Sequence, residues 1–318
     1  MKMKKLIAKS LVLALALTML IPTPTYAASK GGKLVKSVTE YSYNTSKNRW
    51  EKDYLSKYTY DKKGYPKEIN NTNYYDHIMG IPMGASISLN TFKYKYKGKA
   101  PKSLTIKNTA GKVVETRKYT KGRVSSSTSP RSYDWYEEEN GTFRISQGAY
   151  TVKYNKKGFA TSRAGSSASS YKYTDYSGSR SDTYSTTYSV TQKKGVPQLI
   201  VASTTETWNY SDSDGDKGSG STTTPDVYYT KFNKNGYAIE SGYVEQGTNA
   251  YKPNYKIQYK TKKGVVTAAT VYRVKSDGTM TPTCMYKFKY EKTKISQERY
   301  FNMVNSLVGY NNAQFSWF

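Results

Sequence analysis

One four-residue pattern constrains the fold of this chain more than any other feature. Asp or Asn followed three residues later by Gly occurs at Asp61 with Gly64, Asn108 with Gly111, Asn155 with Gly158 and Asn233 with Gly236. Gln192 with Gly195 and Thr261 with Gly264 are close relatives. A carboxylate or amide at the first position accepts hydrogen bonds from backbone N–H groups just ahead of it. Gly at the fourth takes the left-handed conformation that other residues resist. Together they describe a type I turn closed by a glycine bulge, a common link between antiparallel strands. Asp61, Asn108, Asn155 and Asn233 are therefore read as turn caps, and Lys62 and Lys63 as a solvated tip. Glu139-Asn140-Gly141 and Ser276-Asp277-Gly278 add two further hairpin tips.

The segments between these turns alternate with period two, as strands do. In "FKYKYK", Phe92, Tyr94 and Tyr96 share one face, and Lys93, Lys95 and Lys97 the other. In "YKFKYE", Tyr286, Phe288 and Tyr290 oppose Lys287, Lys289 and Glu291. Tyr255, Ile257 and Tyr259 oppose Lys256, Gln258 and Lys260 in the same way. With 34 tyrosines in the chain, rings supply most of the area to be buried, and lysines on the other face discourage edge stacking. The expected fold is mainly β: an antiparallel hairpin-repeat meander over residues 28–292, forming a curved or partly closed sheet. Turn glycines recurring roughly every forty residues leave a four-stranded-blade propeller as the lesser reading. Ser296 as N-cap, Glu298 in the first turn and Tyr300, Met303, Val304, Leu307 and Val308 at helical spacing predict one short amphipathic helix. It falls within residues 293–309, packs on the sheet, stops at Gly309 and leaves a tail over 310–318.

"YTYDKKGYPKEI" (58–69), "VKYNKKGFATS" (152–162) and "TKFNKNGYAIE" (230–240) resemble the tyrosine–aspartate repeats of the rearrangement-hotspot and teneurin type. That resemblance implies antiparallel strands winding into a long sheet, often at bacterial surfaces. The Arg usual after the turn Gly is replaced here by Tyr65, Phe159 and Tyr237, and only strand architecture is carried over.

Residues 1–27 read as an export signal: Lys2, Lys4 and Lys5 precede an apolar core from Leu11 to Ile21, and Thr25-Tyr26-Ala27 forms a cleavage site. No later stretch approaches a membrane span, and the terminal "FSWF" and the lysine-rich strands oppose an outer-membrane strand reading. Removing the four lysines of residues 1–27 leaves +23 of the +27 net charge. An exported, strongly basic chain points to an acidic partner, here an anionic cell-wall polymer or glycan. Nucleic acid is excluded by export, and a monomer with no membrane span is expected. Cys284 is the only cysteine, so no internal disulfide forms, a habit of Gram-positive secreted proteins.

Candidates for chemistry are few. His77 is the only histidine, which rules out metal sites needing several; a hydrogen bond within the loop of residues 76–90 is its favoured role over a base for Cys284 or a serine. Glu137, Glu138 and Glu139 precede Asn140-Gly141 and read as a solvated hairpin end rather than the facing carboxylates of a glycosidase. Asp212, Asp214 and Asp216 have the one-three-five spacing of a calcium loop. Lys217 stands where that loop needs Gly, however, and Thr223 where it needs Glu, so an exposed loop is favoured. Residues 163–189 are dominated by Ser, Tyr and Thr and read as solvent-facing strands or a mobile region. The functional expectation is a non-enzymatic binding or structural module of the cell envelope, without cofactor. Its candidate polymer-binding face is Lys93, Lys95, Lys97, Lys256, Lys260, Lys287 and Lys289. A secreted hydrolase with an unrecognised cleft and a protein-binding adhesin are the alternatives.

Overall fold

A computed structural model describes residues 32–74, 77–78, 81–82, 86–98, 100–120, 123–135, 143–155, 159–172, 177–193, 196–222, 224–295 and 297–308. The expected export signal, tail, Glu137–Glu139 run, Gly158, Gly195, Ser296 and Gly309 lie outside them. The chain opens with β1 (Gly32–Asn44), β2 (Arg49–Tyr60), β3 (Pro66–Asn73), the two-residue β4 (His77–Ile78) and β5 (Ile81–Pro82), and β6 (Ser86–Lys97). β7 (Ala100–Lys107), β8 (Val113–Thr120), β9 (Arg123–Trp135), β10 (Phe143–Tyr154), β11 (Ala160–Lys172) and β12 (Ser177–Lys193) follow. β13 (Val196–Asp212), β14 (Lys217–Ser221), β15 (Asp226–Phe232), β16 (Ala238–Val244), β17 (Tyr251–Lys262), β18 (Val265–Val274) and β19 (Met280–Ile295) lead into α1 (Gln297–Val308).

Apart from the small β4–β5 pair, successive strands are hydrogen-bonded neighbours in one sheet, and β13 also bonds directly to β15 past the short β14. β1 is antiparallel to β2 on one side and to β19 on the other, with Ser42 opposite Cys284 and Val38 opposite Phe288. The order of strands therefore returns to its start, giving a closed antiparallel barrel of sixteen strands. This corrects the expected open or partly closed meander. An open meander leaves one row of backbone donors and acceptors unpaired at each end, and pairing β1 with β19 satisfies both rows at once. Closure also overturns the resemblance to tyrosine–aspartate hairpin repeats.

The turns show the local chemistry directly. The Asp61 carboxylate accepts from the N–H groups of Lys63 (2.8 Å) and Tyr65 (2.9 Å), and Gly64 has φ 76°. Asn233 accepts from Asn235 (2.9 Å) and Tyr237 (3.1 Å), with Gly236 at φ 82°. Asn108 and Asn155 accept from Lys112 and Phe159, each at 3.0 Å. The Thr261 relative behaves differently. Lys263 (φ 51°) and Gly264 (φ 80°) form a two-residue loop with both φ positive, so Thr261 stays in β17 and caps nothing.

Contacts divide the chain into two compact units. The closure unit holds residues 32–92, 190–200 and 228–308; the central unit holds residues 93–189 and 201–227. In the closure unit the core includes Leu34, Val35, Ile69, Val266 and Val271, each at most 2% exposed, and the acids Glu40 and Asp53 are buried with it. α1 completes it by burying Tyr300, Met303, Val304 and Val308 at helical spacing. The Tyr300 ring lies against Gly32, where a Cβ would come within 2.1 Å of it, so a larger residue at 32 fits only if the Tyr300 side chain or its surroundings shift. Its hydroxyl accepts from the Val266 N–H (2.6 Å) and meets the Tyr290 hydroxyl (3.1 Å). Asn305 latches the helix to the Asn233–Gly236 turn, accepting from Ala238 N–H (3.0 Å) and donating to Gly236 O (2.8 Å).

Candidate functional site

The alternation predicted from sequence sorts the strands into a packed face and an open face. On β6, Phe92 is buried and Lys93, Lys95 and Lys97 are exposed; on β19, Tyr286 and Phe288 are buried and Lys287 and Lys289 exposed. On β17, Ile257 is buried and Lys260 exposed, whereas Lys256, opposite Glu240, is half-buried. The candidate lysines thus belong to three separate strands. In each row, alternate residues project the same way, about 7 Å apart along the strand. Lys287 also lies over the Tyr41 ring, 4.7 Å from its centroid.

The central unit holds a polar cluster that sequence reading missed. Glu115 and Arg117, two residues apart on β8, share its packed face and are joined by two bonds, Nε to Oε1 at 2.5 Å and Nη2 to Oε2 at 2.7 Å. Ser127 on β9, opposite Arg117, donates its hydroxyl to the same carboxylate. All three side chains are buried. Burial alone disfavours the Arg117 charge, but the Glu115 carboxylate outweighs it and holds the guanidinium above its ordinary range. Nearby on β11, Arg163 is stacked between Tyr150 (4.3 Å) and Tyr184 (4.6 Å). Burial lowers its pKa to about 10, so it keeps its charge at neutral pH. Burial likewise raises the phenols of Tyr119, Tyr150, Tyr184 and Tyr188. Gly165 makes the stack fit, since a Cβ there would lie 2.2 Å from the Tyr184 hydroxyl. The signal was present in "VETRKY", where an acid and an arginine two apart must share a strand face. With the carboxylate engaged by Arg117 and Ser127, the cluster is arranged for mutual satisfaction rather than proton transfer to a substrate.

The remaining candidates resolve simply. Asp212 caps a hairpin tip, accepting from Asp214 (3.2 Å) and Asp216 (3.0 Å) N–H groups, with Gly215 at φ 88°. Its carboxylate points into its own turn, and among the described residues no group of three His, Cys, Asp or Glu is placed to hold a metal ion. Residues 163–189 include most of β11 and β12, which pair over their length, with Ser162 opposite Thr187 and Lys172 opposite Ser177. The backbone of His77 pairs with Pro82 in the β4–β5 pair; Asp76 lies outside the described residues. Cys284 is buried and directs its sulfur at Glu40 (3.7 Å).

The chain matches no family model, which removes the tyrosine–aspartate repeat assignment. No curated protein sequence matches it either. Solved structures similar to it include a porin-like protein from Bacteroides uniformis ATCC 8492, with TM-score 0.45, 10% identity, and coverage of 85% of this chain and 99% of that one. A porin-like protein from Bacteroides vulgatus ATCC 8482 gives TM-score 0.40, 12% identity, and coverage of 82% and 100%. The expected partner, an anionic wall polymer or glycan met by a chain with no membrane span, is overturned by the closed barrel. The Gram-positive cell-wall setting is withdrawn with it.

Proposed function

We propose that this chain is a non-enzymatic, envelope-associated β-barrel whose exposed lysine rows each attract it electrostatically to an anionic lipid surface. The observation that carries the reading is the exposure of Lys93, Lys95, Lys97, Lys260, Lys287 and Lys289 on strands whose opposite faces are packed. An ammonium presented this way meets water or headgroup phosphate, and each lysine near an anionic leaflet contributes about 1 kcal/mol. The net charge of +23 that remains without residues 1–27 acts in the same direction over longer range. The signal-like residues 1–27 supply the route to the envelope. The buried Glu115, Arg117 and Ser127 side chains bond to one another, which supports a structural rather than catalytic role.

Flotation of the chain lacking residues 1–27 with phosphatidylglycerol-containing and pure phosphatidylcholine vesicles tests this. Retention is expected on the anionic vesicles only, and weakened by high salt. Changing Lys93, Lys95 and Lys97 together to Gln removes about 3 kcal/mol, roughly a hundredfold in affinity. Equal retention on neutral vesicles, or indifference to salt and to the triple change, would sink the reading.

A further inference from the structure

We propose that one end of the open face in the closure unit is an interfacial belt that enters the headgroup layer of an anionic bilayer. The proposal deepens the electrostatic reading above and rests on it. Tyr43 and Trp50 are cross-strand partners on β1 and β2, with ring centroids 5.0 Å apart at 64°. Tyr41 lies two residues along the same face. The register Thr39–Leu55, Leu55–Thr72, Thr72–Ile87 carries that face across β2 and β3 to β6. Ile87 is 68% exposed there, and Tyr74, at the end of β3, is 37% exposed. Tyr41, Tyr43 and Trp50 lie where β1 ends and β2 begins, Tyr74 follows the end of β3 and Ile87 lies at the start of β6, while the next row through Ser37 is flanked by lysine on both sides, Lys57 and Lys289.

The chemistry favours lipid over a protein partner. Two of the rings carry an ammonium: Lys52 stands 3.8 Å from the centroid of Tyr74, and Lys287 4.7 Å from that of Tyr41. Protein interfaces are depleted in lysine at their centres, because desolvating an ammonium there is unfavourable. A headgroup layer accepts that combination: Trp and Tyr rings sit at the level of the glycerol and phosphate, and lysines reach outward past apolar neighbours to the phosphates. The exposed apolar residue, Ile87, lies in the same cross-strand row as Leu55, as a shallow insertion requires. Charge complementarity supplies the attraction and the belt supplies residence, so the belt's contribution should persist when salt removes the first.

The test uses the chain lacking residues 1–27 and vesicles of phosphatidylglycerol and phosphatidylcholine containing a bromine-labelled lipid. The difference in emission between wild type and Trp50→Phe reports Trp50 alone. That component should shift to shorter wavelength and be quenched on binding. Ile87→Asp should weaken vesicle binding about tenfold at high salt, with thermal unfolding unchanged because the side chain is exposed; Tyr74→Ser is the second variant should the first misfold. An unshifted Trp50 together with unchanged binding of both variants overturns the belt and leaves the electrostatic reading standing. Absence of wild-type binding even at low salt overturns both. Salt-resistant self-association that Ile87→Asp abolishes, without vesicle binding, assigns the patch to a second copy of the chain and also overturns the proposal.

Discussion

Both units bury apolar side chains, Leu34, Val35, Ile69 and Val271 in the closure unit and Leu104, Ile106 and Val152 in the central unit, but the charged groups they bury differ: the acids Glu40 and Asp53 in the closure unit, and the Glu115–Arg117 ion pair with Ser127 in the central unit. Both units are made of the same antiparallel hairpins. Apolar burial is additive, at about 25 cal/mol per Å², and tolerates local change. A buried ionic network is all-or-nothing: complete, it fixes one arrangement, and broken, it leaves a charge stranded. The apolar packing of both units should therefore degrade gradually, and the ionic cluster of the central unit should fail at single positions.

The largest expected effect breaks both halves together. Burial raises the phenols of Tyr58 and Tyr259 in the closure unit and of Tyr119 and Tyr188 in the central unit. The unfolded phenol titrates near pH 10. The stability these groups contribute is therefore complete below about pH 10 and is lost as pH rises toward the folded values, at about 1.4 kcal/mol per unit for each enclosed ring. Melting temperature should be level to about pH 9 and fall steeply by about pH 11, with tyrosinate absorbance appearing only as unfolding begins. Early tyrosinate absorbance from the folded chain would show that the rings are accessible and the packed face is loose.

Next in size is Glu115→Ala, which strands the Arg117 charge. It should cost about 3–5 kcal/mol, and hydrogen exchange should accelerate in β8 and β9 while β1 and β19 keep their protection. The double change Glu115→Leu with Arg117→Met should recover most of the loss. A single-variant penalty below about 1 kcal/mol would erase the contrast between the units. Smaller again is Tyr300→Phe, which keeps the ring against Gly32 but leaves the Val266 N–H without its acceptor. About 1–3 kcal/mol is expected from chemical denaturation, set by the orphaned donor. No loss would mean that ring area alone holds α1.

Much of the local architecture was legible because its causes are local. Asp61 and Asn233 reach N–H groups two and four residues ahead, and "FKYKYK" can present its lysines only opposite its rings. Closure was not legible, because the hydrogen bonds joining Val38 to the Phe288 strand are made by backbone that every residue carries. The Glu115–Arg117 pair was passed over for a related reason. Alternation says which residues share a face, but "VETRKY" reads equally well with its charges in water, and only the neighbouring strands decide. The lysine rows were visible as a pattern, while the aromatic end at Tyr43, Trp50 and Ile87 is assembled from three strands and has no contiguous motif.

The pairing of β1 with β19 also sets a clock for the molecule. Gly32 finds its partner at Ile295, so the earliest strand waits with one side unsatisfied until nearly the whole chain is available. Contacts of such sequence separation slow folding, because the intervening chain must be ordered before they form. A chain synthesised from its N-terminus cannot finish its barrel until the last strand emerges, which suits delivery across a membrane as an unfolded polymer. The same adjacency of first and last strands suggests that a circular permutant, joined between them and opened at the Asp61 turn, would fold with its former ends now neighbours in sequence.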